Sequence, residues 1–327
     1  GMVGEITETS VTIKLTITTC PAADRIEREV KAVVGDREVI MTVMTPAERE
    51  ELKTKLRAGR APRVNPFDEQ NPCKVYLIGS GKGGVGKSSI TANLAVALAA
   101  KGLAVGLIDA DIFGFSIPGQ LGIEGKPTKL DDMILPPVAY GVKVISIGMF
   151  LAESGPVAWR GPMLHRAVSQ FLTDVHWGDL DFLLIDMPPG TGDIAISLGQ
   201  LLPTAQTIVV TTPQVAAAEV AERSGSVGVQ TGQSTFGVIE NMSWLEQGGE
   251  RLELFGAGGG QVVADRLGTK LLGQVPISIM LREGSDQGLP VVAENPDDTA
   301  AKAIFEIAES IAETKTPLLG RRLKLST

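Results

Sequence analysis

The 327-residue sequence is poor in cysteine, histidine, aromatic residues and net positive charge. Its two cysteines, Cys20 and Cys73, are too few for a disulfide framework and fit a reducing, cytoplasmic setting. Its two histidines, His165 and His176, lack metal-ligand spacing and a cysteine cluster to pair with, so no zinc site is expected. Lys and Arg number 30 against 38 Asp and Glu, a formal charge of −8. That balance argues against a nucleic-acid partner, because surfaces that track phosphates need a basic excess. Apolar stretches such as Ile90 to Leu107 are broken by Asn93 and Lys101, so neither a membrane span nor stable membrane association is expected. No signal-peptide pattern is visible.

What is abundant is aliphatic and small. Hydrophobic residues make up 43% and aromatics only 4%, with 38 glycines. Such a core suits a parallel sheet covered by helices on both faces, and the glycines suit tight strand-to-helix turns. At this length roughly three-quarters of the unfolded surface is buried on folding, which excludes global disorder.

Residues 1–56 read as a small α+β domain. Val11 to Ile17 alternates with a period of two, as a half-buried strand does. Ile26, Val30 and Val33-Val34 share one face of a following helix, Glu38 to Val43 is a second strand, and Pro46 opens a charged helix. The unit reads either as starting at Met2 or as continuing a longer domain whose first helix is missing. Residues 57–72 carry three prolines without periodicity, and form a linker. From 73 to 315 short apolar runs alternate with helical segments. The runs are Val75 to Ile78, Ala104 to Ile108, Val142 to Ile147, Phe182 to Ile185, Thr207 to Val210, Gly237 to Ile239 and Leu271 to Val275. Helices are expected from near Lys87, Pro162, Asp193, Ala216, Gly260 and Thr299. The alternation predicts an α/β domain with a doubly wound, mostly parallel sheet. A basic tail, 316–327, closes the chain and is too short for a membrane-lying helix.

The first of these strands runs into Gly81-Lys82-Gly83-Gly84-Val85-Gly86-Lys87-Ser88 and then a helix from Ser89. This is the strand–GxxxxGK[ST]–helix arrangement of a P-loop. Its glycines let backbone N–H groups wrap a phosphate, the helix N-terminus adds positive potential, Lys87 reaches the β/γ-phosphates and Ser88 ligates Mg²⁺. Carboxylates are expected at neighbouring strand ends. Asp109 and Asp111 end one run, suited to support Mg²⁺ and to orient the attacking water, and Asp186 ends another as a Walker B residue.

With Lys82 as a second, signature lysine, the loop resembles the deviant Walker A motif of the MinD, ParA and nitrogenase iron protein group. Asp109-Ala110-Asp111-Ile112-Phe113-Gly114-Phe115-Ser116-Ile117-Pro118, Trp159-Arg160-Gly161-Pro162-Met163, Asp186-Met187-Pro188-Pro189-Gly190-Thr191-Gly192-Asp193, Thr211-Thr212-Pro213-Gln214 and Glu240-Asn241-Met242-Ser243 resemble the Mrp/ApbC branch of iron–sulfur cluster carrier ATPases. Residues 1–55 resemble, on fewer positions, a SufT/PaaD-like domain. The resemblance implies a slow, Mg²⁺-dependent ATPase that sandwiches two ATP molecules in a homodimer and hands iron–sulfur clusters to apoprotein clients alongside iron–sulfur assembly factors. It implies that Gly81 to Ser89 hold the nucleotide, that Lys82 crosses to the partner's phosphates, and that Asn241 contacts the adenine. Ser88, Asp109 and Asp186 would serve Mg²⁺, with Lys82, Lys87 and Asp111 catalytic.

Members that hold a [4Fe–4S] cluster supply a Cys-x-x-Cys soon after the Glu-Asn-Met-Ser segment. Here Trp244 to Gly256 contains no cysteine. Four thiolates are the usual requirement, so the cluster ligands are not identifiable. Cys73 reads as a buried strand-edge residue, and Cys20, before a helix, as a candidate functional thiol. Two further readings follow: a positioning ATPase of MinD/ParA type, and a nucleotide-switched scaffold without a cluster.

Overall fold

Alternating strands build the first unit of the chain, and continuous apolar strands the second. The structure is a computed structural model and describes residues 2–16, 23–57, 65–68, 70–112, 114–150, 161–190, 193–214 and 233–313. In the N-terminal unit β1 (Val3–Ile6) pairs antiparallel with β2 (Ser10–Leu15), and β2 pairs in parallel with β3 (Glu38–Val43) through the crossover helix α1 (Ala23–Val34). Val11, Ile13 and Leu15 are buried while the residues between them are half-buried, the expected period of two. The short β1 carries no pattern of its own and is fixed by its partner. Helix α2 (Pro46–Arg57) opens on a capping box, with Thr45 N–H donating to Glu48 Oε2 at 2.8 Å and Glu48 N–H to Thr45 Oγ1 at 3.3 Å. Lys14 pairs with the same Glu48, and its hydrogen bond holds that carboxyl down at about 2.

The second unit contains β4 (Lys74–Gly79), β5 (Val105–Asp109), β6 (Thr128–Leu130), β7 (Met133–Leu135), β8 (Val138–Ala139), β9 (Val142–Ser146), β10 (Phe182–Asp186), β11 (Gln206–Thr211), β12 (Thr235–Gln247), β13 (Glu250–Leu252) and β14 (Leu271–Ile277). The sheet runs β13-β12-β11-β4-β10-β5-β9-β8, with β14 beside β12. Its interior pairs are all parallel, and only the edge strands β8 and β13 run antiparallel to their neighbours. All of β5 and β10 is buried, which accounts for their unbroken apolar sequences. This is an α/β P-loop NTPase domain preceded by a small sheet element.

Helix α3 (Lys87–Ala100) is buried from Ile90 through Leu98. The sheet covers it, and α9 (Val291–Glu294) and α10 (Thr299–Ala312) pack against it, α10 also lying on β14. That position explains why α3 lacks a polar face. Between them in sequence come α4 (Ile117–Gln120), α5 (Gly161–Thr173), α6 (Asp193–Leu201), α7 (Gly259–Arg266) and α8 (Ile279–Gln287). Gly258, at φ 80°, turns the chain into α7. The helix expected from near Ala216 lies outside the described residues. The strand expected at Gly237 to Ile239 is much longer, because β12 continues past the sheet into a hairpin with β13 across Gly248-Gly249.

The β6–β7 hairpin joins the two units. Leu130 and Met133 form an apolar cluster with Met44 and Leu52 of the N-terminal unit. Around it Thr16 Oγ1 donates to Lys129 O at 3.1 Å, Lys53 Nζ reaches Asp131 Oδ2 at 3.1 Å, and Arg49 lies 3.6 Å from Asp131 Oδ1. Asp131 takes φ 53° at the tip of the hairpin, a conformation that Asp tolerates better than most residues. Leu130 is fully buried. Leu130→Ala is expected to cost about 2–5 kcal/mol in denaturant unfolding and to release the N-terminal unit to proteolysis before the ATPase domain.

Candidate phosphate-binding site

Strand register brings the site together. Asp186 at the end of β10 lies level with Ile78 of β4 and with Asp109 of β5. The ladder continues beyond the strands, through Met187 N–H to Ile78 O at 3.0 Å and Gly190 N–H to Ser80 O at 2.8 Å. The loop after β4 is thereby tied to the loop after β10. A cavity of about 230 Å³ opens between them, lined by Ser80, Lys82 to Ser89, Asp111, Gly114 and Pro189. Gly81 is half-exposed and is not among the lining residues.

Gly84 and Gly86 both adopt φ 78°, and Gly86 caps α3 with no side-chain partner for the first N–H groups. A helix start left open in this way is an anion site. Gly86 is required for a second reason: a Cβ there would come within 2.2 Å of Asn241 Nδ2. Asn241 is buried and donates to Val85 O at 2.9 Å, so it braces the loop from beneath. Met242, the next residue, takes φ 58° where the register of β12 on β14 shifts between Asn241 and Leu245.

Lys87 is buried, 2.7 Å from Asp186 Oδ1, and Ser88 Oγ donates to Asp186 Oδ2 at 2.6 Å. Thr91, absent from the sequence-based candidates, lies with its hydroxyl 2.9 Å from Asp186 Oδ1. Burial pushes the Asp186 carboxyl up, opposed chiefly by the Lys87 ammonium. Asp109 is also fully buried but does not line the cavity. It accepts from Asp111 N–H at 3.2 Å, from Ile117 N–H at 3.3 Å and from Ser146 Oγ at 3.0 Å. Asp111, two residues on, does line the cavity and accepts from Gly114 N–H at 3.0 Å. The exposed Lys82 donates to Gln214 Oε1 at 3.1 Å. The arrangement therefore gathers Lys82, Gly83 to Ser89 and Asp111 around one cavity. Asp186, Asp109 and Asn241 support it from behind.

Three carboxylates, Asp109, Asp111 and Asp186, are buried here against the one buried ammonium among the described residues, Lys87. Burial, and then the charge of Asp186, push Asp109 up to about 7. Such an excess of acceptors beside the Ser88 hydroxyl fits a divalent cation accompanied by phosphate. Among the described residues no group of three His, Cys, Asp or Glu could hold a metal by protein ligands alone. Cys73 is the one free cysteine among them, with its thiol pushed up by burial. Cys20 lies outside the described residues.

A family described as NUBPL iron-transfer P-loop NTPase, within the ParA group, matches residues 72–312. The chain belongs to that family. It is a P-loop NTPase homologous to ATPases of the Mrp/ApbC and MinD/ParA kind, and no described helix is long and apolar enough to cross a membrane. Among relatives, an iron-sulfur cluster carrier protein of Mycobacterium leprae is 50% identical over 96% of this chain and 86% of its own length. A mitochondrial iron-sulfur protein required for NADH dehydrogenase in Arabidopsis thaliana is 42% identical over 73% of this chain and 78% of its own. Among solved structures, a nucleotide-binding protein of Archaeoglobus fulgidus in complex with ADP superposes with a TM-score of 0.58 at 35% identity, over 73% of this chain and 91% of that one. The cell division ATPase MinD of Pyrococcus furiosus shares the fold, with a TM-score of 0.58 at 24% identity, over 74% of this chain and 99% of its own.

The raised Asp109 gives the P-loop site a pH signature in the nucleotide-free protein. Below 3.8 Asp109 is protonated whether the chain is folded or not. Between there and about 7 the unfolded chain gives up that proton while the folded chain keeps it, so stability falls as pH rises through this window and no further above it. Thermal unfolding at pH 5 and pH 8 is expected to show that decline in the wild type and a flatter one in Asp109→Asn.

Proposed function

We propose that this chain is a Mg²⁺-dependent ATPase that works as a cytoplasmic homodimer and carries iron–sulfur clusters to apoproteins. The observation that carries the reading is the open start of α3 with Ser88 and the buried Lys87 and Asp186 converging on it. The relatives described as iron-sulfur cluster carriers support the cargo. In this reading the N–H groups of Gly83 to Ser88 and the Lys87 ammonium neutralise the phosphate chain. Ser88 ligates Mg²⁺, with Asp186 and Asp109 as the carboxylates behind it, and the ion supplies charge stabilisation as the terminal phosphoryl group transfers. Asp111, whose carboxylate faces the cavity, orients the attacking water, and ATP and water yield ADP and phosphate. Asn241, which braces the loop, contacts the adenine. Lys82, exposed and hydrogen-bonded to Gln214, leaves that partner to reach the phosphates of the second subunit.

The cluster is cargo, and its ligands differ from a Cys-x-x-Cys after β12. The raised Cys73 thiol disfavours thiolate, so Cys20 is the functional thiol of this reading. In this reading residues 1–56 act as a SufT/PaaD-like partner domain. The missing cysteines in Trp244 to Gly256 favour one second reading, a nucleotide-switched scaffold that recruits assembly factors.

Lys87→Ala is expected to abolish nucleotide binding or hydrolysis, and unchanged turnover would sink the phosphate-site reading. Lys82→Ala should retain nucleotide affinity but lose hydrolysis and ATP-dependent dimerisation, with calorimetry and sedimentation reading the separation. Anaerobic reconstitution decides the cargo: a stoichiometric, ATP-sensitive cluster that transfers to an apoprotein supports carriage. Repeated failure with ATPase intact supports the scaffold.

A further inference from the structure

Thr91 sits one helical turn beyond Lys87 in α3, fully buried and outside the loop motif. Its Oγ1 lies 2.8 Å from Lys87 O and 2.9 Å from Asp186 Oδ1. A hydroxyl has one proton to donate, and both neighbours are acceptors, so it serves one of them fully at a time. The bond to Lys87 O is the local option open to any helical threonine. The contact with Asp186 is not local, since it joins the buried helix to the end of β10.

Among the described residues, Asp186 has three side-chain donors around it. Lys87 and Thr91 face Oδ1, and Ser88 faces Oδ2. On the reading proposed above, a bound nucleotide draws Lys87 to the phosphates and Ser88 to Mg²⁺. Two of the three donors then turn away from a carboxylate that is fully buried. A buried carboxylate without donors is costly and free to rotate. Thr91 does not line the cavity, so nothing in the nucleotide site competes for it.

We propose that Thr91 is the positioning residue for Asp186 in the nucleotide-bound state. When Lys87 leaves, the Thr91 proton passes from sharing with Lys87 O to Asp186 Oδ1. This holds the Oδ2 edge toward Ser88 and the metal site. The role resembles that of outer partners in other metal sites, where removal costs about 10–100-fold in metal affinity. A valine keeps the shape and the burial and replaces only the hydroxyl by a methyl group, while the helix retains its own backbone bond at Lys87 O.

The test is calorimetric titration of ADP into the full chain, with Mg²⁺ and with EDTA, for the wild type, Thr91→Val and Thr91→Ser. Thr91→Val is expected to bind ADP in EDTA within about twofold of the wild type and to lose about tenfold of the affinity gained on adding Mg²⁺. Thr91→Ser should restore that gain. A full Mg²⁺ gain in Thr91→Val overturns the inference, as does an equal loss with and without Mg²⁺ or a serine variant no better than valine. If valine does not fold, Thr91→Ala is read by the same criteria. A wild type that binds ADP with no Mg²⁺ gain overturns the reading of the site itself, and this inference with it.

Discussion

The buried pair of Lys87 and Asp186 is the contact around which the ATPase domain is arranged. An ammonium 2.7 Å from a fully buried carboxylate is stable only where other donors complete the shell. Ser88 and Thr91 do so from the same helix that carries Lys87. The helix must therefore start where it does, the strand β10 must end where it does, and the loop between β4 and α3 must turn through glycines. Register fixes the rest, since Asp186 lies level with Asp109 and Ile78. Breaking the pair from one side leaves a lone buried charge, which costs about 3–5 kcal/mol. A ligand that brings its own charges, phosphate for the lysine and a cation for the carboxylate, separates the two without that penalty.

The second carboxylate shows how the same sheet edge serves two tasks. Asp109 spends its acceptors on the backbone of Asp111 and Ile117 and on Ser146. It thereby ties the loop after β5 to the end of β9. Asp111 is left facing the cavity. One residue thus sets the shape of a loop whose next acidic residue lines the P-loop cavity.

Much of this was legible in the sequence, for identifiable reasons. The P-loop is read from consecutive residues because its chemistry is local, with the strand, the turn and the helix start all within one short stretch. The buried strands announced themselves by unbroken apolar runs, and Asp109, Asp111 and Asp186 by their place at the ends of those runs. Three features were not legible. Strand β12 runs on to Gln247 because a hairpin partner extends it, and its polar residues gave no such hint. The β6–β7 hairpin is too short to carry a period, so its role in joining the units is visible only in contacts between residues far apart in sequence. Thr91 looks like an ordinary helical threonine until β10 is laid beside it. Asp109 and Asp111 stand two apart in sequence, yet beyond β5 the first is enclosed by backbone N–H groups and Ser146 while the second lines the cavity.

The clamp between the two units has a geometric consequence. Lys53 and Arg49 grip Asp131 from one helix, while Leu52 of that helix fills the space over Leu130. Rotation about that contact would strip the cations from the hairpin tip and uncover the leucine together. The N-terminal unit is therefore mounted rather than tethered. Its distance and angle to the P-loop cavity are set by this contact, and the length of chain between the units has little say in the matter.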